Sequence, residues 1–469
     1  MKKMLKTAAI ILLALAAALG CKEEPRWLRI YHDGEFKWEI DVSGWEVGED
    51  VVPLGVFYYP WQGEDSIDFI DDGGYLYVNG SRVGADAWSL DLDTIPNPEE
   101  IITLKGVHED FKVLSRFSNL AGLCISLNDE TPSIPLGELT QLRCLEKSGR
   151  AFTRQELEDI ATLSELRDLR VDFSEFRDLD LLYVQRLTNL RSLDVSFTGI
   201  TDDGLTYVAG LTELRRLDLG GNDISDKGVA QLGGLSHLEE LRFFGAPITD
   251  LTLELIGDSF PDIKILDLRT SYITDSGLRH LENLNNLRTI WFSEEGITDK
   301  GVGYLSRIKS LEELLLSGNG ITDIGLLYLK ELPNLRILML SGIDITDEGL
   351  LHLGVHTGLE ELSLTNSSLT DYGMTYLANL RNLRKLRLSG TDITDASIPV
   401  LAGFRRLQEL DVVFTSISDT GAAELRGLLP DCEVISKTDI IRINPNPSLS
   451  TKEILQMAPT DINTIEDND

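Results

Sequence analysis

The chain has 469 residues, 42% of them hydrophobic, and a formal net charge of −34. So much carboxylate repels phosphate backbones, and nucleic acid is not an expected partner. Its six histidines and four cysteines form no catalytic constellation, so no enzyme activity, cofactor or metal is expected.

The first residues are basic (Lys2, Lys3, Lys6), residues 8–19 are apolar, and Gly20-Cys21 follows. A charged start, a short apolar core and a small residue before the cut make residues 1–20 a secretory signal. The apolar run is too short for a comfortable membrane span. Cys21 directly after Ala18-Leu19-Gly20 resembles a bacterial lipoprotein signal. That resemblance implies lipidation of Cys21 and tethering to a membrane. Lys22 in the next position implies the outer membrane in a diderm bacterium.

Residues 21–96 hold five of the six tryptophans: Trp27, Trp38, Trp45, Trp61 and Trp88. Residues 75–83 read as a hairpin turning at Asn79-Gly80. The segment is a small β-rich module, expected to pack on the downstream repeats and cover the first of them. Its aromatics are read as core rather than as a ligand surface. Asp65, Asp68, Asp71 and Asp72 lack the spacing of a calcium loop and read as a solvated turn. Residues 97–140 look like two degenerate copies of the unit that repeats from residue 141 onward, with Leu120, Leu123 and Ile125 in its strand positions.

Residues 141–430 repeat one frame twelve times at a period of 24. Each copy begins L-x-x-L-x-L, passes a polar turn and continues I-T-D-x-G-L-x-x-L. A unit so short cannot bury an apolar face alone, so neighbours must stack. Leu217 and Leu219 alternate as the inward residues of a strand. Thr-Asp or Ser-Asp, at 201, 225, 249, 274, 298, 322, 346, 370, 394 and 418, marks a helix start. A hydroxyl or carboxylate there accepts from the free amides of the first turn, and Asp suits the positive end of the helix.

These residues resemble the leucine-rich repeat family, in its bacterial I-T-D-x-G-L form, also similar to the repeats of F-box leucine-rich proteins. The resemblance covers about two thirds of the chain. It implies an α/β solenoid with a parallel concave sheet and short convex helices, here preceded by the small β-rich module. The family's asparagine after the strand survives only at Asn222 and Asn319. Thr198, Ser271, Ser367, Thr391 and Thr415 could replace it through a hydroxyl, whereas Ala246 and Ile343 could not, predicting looser turns there. Residues 431–443 supply a capping strand, with Cys432 in a core position, and residues 444–469 read as a disordered acidic tail. Cys124 and Cys144 fall on adjacent strands two residues out of register, beyond easy disulfide reach.

In this frame the outward position between the second and third leucines carries Arg242, Asp267, Trp291, Leu315, Met339, Ser363 and Arg387 in successive copies. Ile265 and Ile337 lie two residues earlier in their copies, and Phe244 two later. A partner is expected to cover such an apolar centre. The expected site is therefore a protein or peptide surface centred on Trp291, Leu315 and Met339, with Ile265, Ile337 and Phe244 beside them. Arg242, Asp267 and Arg387 form its rim. His352 and His356 are half a zinc signature without its glutamate, and read as an outward and a partly buried residue.

The leading function is a non-enzymatic protein- or peptide-binding lipoprotein at the bacterial envelope, with a ligand expected to be basic at its edges. Two other classes are open. The F-box resemblance suggests a substrate-recognition adaptor for ubiquitin transfer, although no F-box-like segment precedes the repeats. The tryptophans suggest an envelope glycan binder or hydrolase.

Overall fold

In a computed structural model the described residues are 133–437 without 294–295, residue 439, most of 114–127, and the strands 27–32, 35–41, 75–78, 81–86 and 103–107. The signal segment, the tail 444–469, Trp45, Trp61, Trp88 and the acidic turn at 65–72 lie outside them. The chain divides into two compact units, residues 1–217 and 218–469.

In the first unit two antiparallel hairpins lead: Trp27–His32 with Glu35–Asp41, and Tyr75–Val78 with Ser81–Asp86. The second hairpin brackets the predicted turn. Its strand Ser81–Asp86 pairs in parallel with Thr103–Val107. From there the ladder runs through Gly122–Leu127, Cys144–Gly149 and Asp168–Arg170 to Ser192–Asp194. The hairpin thus covers the first parallel strand by extending its sheet, which keeps that strand from being an unpaired edge. Leu120, Leu123 and Ile125 are buried, as their strand positions require.

In the second unit the parallel ladder runs from Glu240–Arg242 to Glu433–Ile435. Leu241, Leu266, Ile290, Leu314, Leu338, Leu362, Leu386, Leu410 and Val434 lie side by side in it. All are buried, each contributing on the order of 1.5–3 kcal/mol to the shared interior. The last inward position belongs to Val434 and not to Cys432, which is half-buried. Val434 follows Leu410 by 24 residues, so the last strand keeps the period and leaves Cys432 ahead of it. Cys124 faces Glu146 and Cys144 faces Gly122, the diagonal arrangement expected, and neither is bridged.

The T-D-x-G element works differently from the sequence reading. The threonine alone caps its helix: Thr274, in an extended conformation, accepts from the Ser276 amide. The aspartate ahead of it in the chain does something else. Asp250 Oδ1 accepts from the Thr274 amide (2.8 Å) and Oδ2 from its hydroxyl (2.7 Å), tying one copy to the next. The same two-pronged tie recurs from Asp275 to Thr298, Asp299 to Thr322, Asp323 to Thr346, Asp347 to Thr370 and Asp395 to Ser418. In the first unit Asp178 ties Thr201.

The glycine makes room for that carboxylate: a Cβ on Gly277 would meet Asp250 Oδ1 at 2.5 Å. At two copies of the second unit a hydroxyl residue replaces the glycine and joins the tie. Thr252 donates to Asp226, and Ser397 to Asp371. Burial alone would raise both carboxyls, but these hydroxyls and amides hold them below the usual carboxylate range.

Turns after the strands close through short bonds to the carbonyl three residues back, from Thr198 (2.7 Å), Ser271 (2.6 Å), Thr391 (2.7 Å) and Thr415 (2.8 Å). Ser367 departs from this, its buried hydroxyl having no partner. Ala246 closes its turn with its own amide to Phe243 (2.8 Å), and Ala246 and Ile343 are both buried, so neither turn is open. Parallel strands at a 24-residue period joined by short helices make this an α/β leucine-rich-repeat solenoid.

Candidate binding surface on the sheet

Register places the predicted residues in one row across the second unit's sheet. Arg242 pairs with Asp267, Asp267 with Trp291, Trp291 with Leu315, Leu315 with Met339, and Met339 with Ser363 ahead of Arg387. Ile265 and Ile337 occupy the row beside it. Neighbouring strands are about 4.8 Å apart, so these side chains are immediate neighbours.

The structure corrects the centre of this site. Trp291 is outward in register yet only 3% exposed. The guanidinium groups of Arg242 and Arg269 lie over its ring, 5.6 and 5.4 Å from the centroid. Its Nε1 donates to Glu313 at 3.0 Å. Long side chains from the flanking strands reach across and cover the indole, so it stiffens the sheet face and is not an open anchor. Slot assignment shows which way a side chain points, but not what its neighbours lay over it.

The rim is also satisfied from within. Asp267, 1% exposed, holds Arg269 through two bonds of 2.9 and 2.7 Å. Arg242 pairs with Glu240, and Arg387 with Glu409 at 3.0 Å. Phe244 is half-buried with Arg269 over its ring at 5.1 Å. Leu315, Met339, Ile265 and Ile337 remain as half-buried apolar side chains open on the sheet face.

A row of hydroxyls that the sequence reading did not single out lies beside them. Ser341 bonds Ser363 (2.9 Å), Ser363 bonds Thr365 (3.2 Å), and the Ser341 amide reaches Ser317 (3.3 Å). This half of the face therefore offers an apolar strip with polar atoms alongside, as an extended chain requires.

The first unit has a different face, which the leucine frame alone does not reveal. Outward from its strands stand Glu146, Asp168, Asp172 and Asp194, facing Arg170 and Arg216. Burial first, then repulsion from Asp194 and Glu146, raises Asp168 to about 6 and Asp172 to about 7. Phe173 and Phe197 follow these acids at the turns, in left-handed conformations (φ 49° and 51°), and their rings stack at 4.6 Å. The signal lay in the sequence, because these two adjacent copies both carry phenylalanine where others carry Gly221, Gly245, Thr270, Gly342, Asn366, Gly390 or Phe414.

His352 is half-buried on its helix, and His356 is buried, which lowers its pKa. Lys147 was not foreseen as special. It fills an inward leucine position, is 0% exposed, donates to the Arg150 carbonyl (2.8 Å) and sits 3.6 Å from the Phe152 ring.

Family models for leucine-rich repeats match residues 186–209, 211–233 and 379–401, and a two-copy model matches residues 309–352. No curated protein sequence matches the chain. Among solved structures it is similar to an internalin from Listeria monocytogenes, at 20% identity and TM-score 0.44, over 72% of this chain and 87% of that one. It is also similar to a leucine-rich-repeat protein of Leptospira interrogans, at 20% identity and TM-score 0.46, over 73% of this chain and 92% of that one. A plant peptide hormone receptor, RGFR1, in complex with RGF2 is similar at 18% identity and TM-score 0.41, over 68% of this chain and 52% of that one. The family models thus match parts of a chain whose fold is a leucine-rich-repeat solenoid.

Proposed function

We propose that this chain is a non-enzymatic scaffold that docks a protein or peptide on the sheet face of its second unit and is held at the bacterial envelope by a lipid on Cys21. The observation that carries the docking reading is the strip of Leu315, Met339 and Ile337, half-buried on adjacent strands with the hydroxyl row at its side, and Ile265 two strands from Leu315 on the same face. A segment lying across the strands would cover the strip and bond the serines. Burial of each such side chain is worth on the order of 1.5–3 kcal/mol.

The test is Leu315→Ser with Met339→Ser in the full chain. Partner capture from envelope extract should fall at least tenfold while the thermal transition stays in place. Undiminished capture would remove the site. The lipid reading rests on residues 1–21 of the sequence. Growth with an alkynyl fatty acid should label the wild type and leave Cys21→Ser unlabelled, and equal labelling of the two would end it.

A further inference from the structure

We infer that the first unit carries a separate docking surface, formed by the Phe173–Phe197 stack and the acidic sheet positions beside it, for an arginine-bearing basic segment of a partner protein. The aromatic pair is the starting point. Phe173 is 59% exposed and its ring lies within 5° of parallel to that of Phe197. An exposed aromatic ring held flat on a half-buried one is an apolar surface that a partner can cover. Both residues hold a left-handed backbone, which bulky side chains adopt at a cost of roughly 1–3 kcal/mol. Gly221, Gly245, Gly342 and Gly390 serve that turn without this cost, while Thr270 and Phe414 share the left-handed conformation singly, with no neighbouring phenylalanine turn to stack on.

Charge names the occupant. The strands ending at these turns place Glu146, Asp168, Asp172 and Asp194 against Arg170 and Arg216, an excess of carboxylate in one place. Asp168 Oδ1 is buried without a hydrogen-bond partner, with Arg170 Nε 3.7 Å away. Burial first, and then repulsion from Asp194 and Glu146, raises the carboxyls of Asp168 and Asp172. A guanidinium group meets both demands at once. Its plane stacks on an aromatic face, and its fork of N–H donors suits carboxylates, whereas an ammonium supplies only a point charge. The phenylalanines and acids are contiguous in sequence: Asp172 precedes Phe173, and Asp194 stands three residues before Phe197.

The probe is a labelled octapeptide alternating arginine and glycine, titrated into the full chain beside its lysine counterpart. The arginine peptide should bind at least fivefold more tightly. Phe173→Asn with Phe197→Asn should weaken it about tenfold, to the level of the lysine peptide, without lowering the melting temperature. Asp172→Asn with Asp194→Asn should weaken both peptides. If the double phenylalanine variant fails to fold, Phe173→Gly alone must still remove the arginine preference. Equal binding of the two peptides, no binding at all, or unchanged affinity in the phenylalanine variants would overturn the inference, leaving at most the bulk attraction of an acidic chain.

Discussion

Asp250 Oδ1 occupies the space that a side chain on Gly277 would need, while the same carboxylate holds Thr274 by amide and hydroxyl. Gly277, like Gly301, Gly325, Gly349, Gly373 and Gly421, is therefore dictated by the aspartate of the copy before it.

A mutant cycle tests this. Gly277→Ala should destabilise the second unit by about 1–3 kcal/mol, as overpacking does. In an Asp250→Ala background, already weakened by about 1–2 kcal/mol through loss of the tie, the same alanine should cost far less. Additive effects in urea melts would show that the two residues are not in conflict.

Trp291 should behave as structure rather than as ligand contact. Its replacement by alanine should lower stability by roughly 3–5 kcal/mol, because a covered ring and its bond to Glu313 are both lost. A thermal transition unmoved by Trp291→Ala would mean the arginines do not shield it in solution.

Lys147→Met should stabilise the first unit. Burial, opposed by Glu156, lowers the ammonium to about 8, so the charged form is disfavoured in the folded state at every pH below that value. The penalty fades only as pH rises from about 8 toward the ordinary lysine value. Methionine has similar length and needs no solvation, and replacing a buried charge by an apolar side chain gains up to about 1–4 kcal/mol. A lower melting temperature would show that the bond to Arg150 and the contact with Phe152 outweigh burial.

The acidic face of the first unit should make stability fall with rising pH. Asp168 and Asp172 titrate at about 6 and 7 when folded, above their ordinary value, so the folded state binds these protons more tightly. Their contribution is full in acid, below the ordinary carboxylate range, and is lost as pH climbs through 6 to 7. Beyond burial, Asp194 and Glu146 push both carboxyls upward and Arg170 opposes them, so Asp168 and Asp172 lie in one shared field. Asp172→Asn should flatten the decline between pH 5 and 8 by on the order of 2 kcal/mol in denaturant melts. A slope unchanged by that substitution would place its origin elsewhere.

Much of the fold was legible because the leucine period fixes both register and direction. The row from Arg242 to Arg387 lies where alternation puts it. Legibility failed where a residue's role depends on a neighbour 24 positions away. Asp250 looks like a cap within its own copy and proves to be a link to the next. Trp291 looks exposed until Arg242 and Arg269 are laid across it. Lys147 breaks the leucine pattern openly, yet only packing reveals that its ammonium stays inside.

The aspartate ties all point from an earlier copy to a later one, and Glu156 marks where they begin. It stands in the glycine position of its copy, and there it accepts Thr153, Arg150 and the amide of Ile134. In the second unit the junctions from Asp250–Thr274 to Asp347–Thr370 present the same socket and plug in succession. A segment of one period could be excised or doubled between matching sockets without leaving a mismatched joint, so the array can change length by whole units while its ends stay fixed.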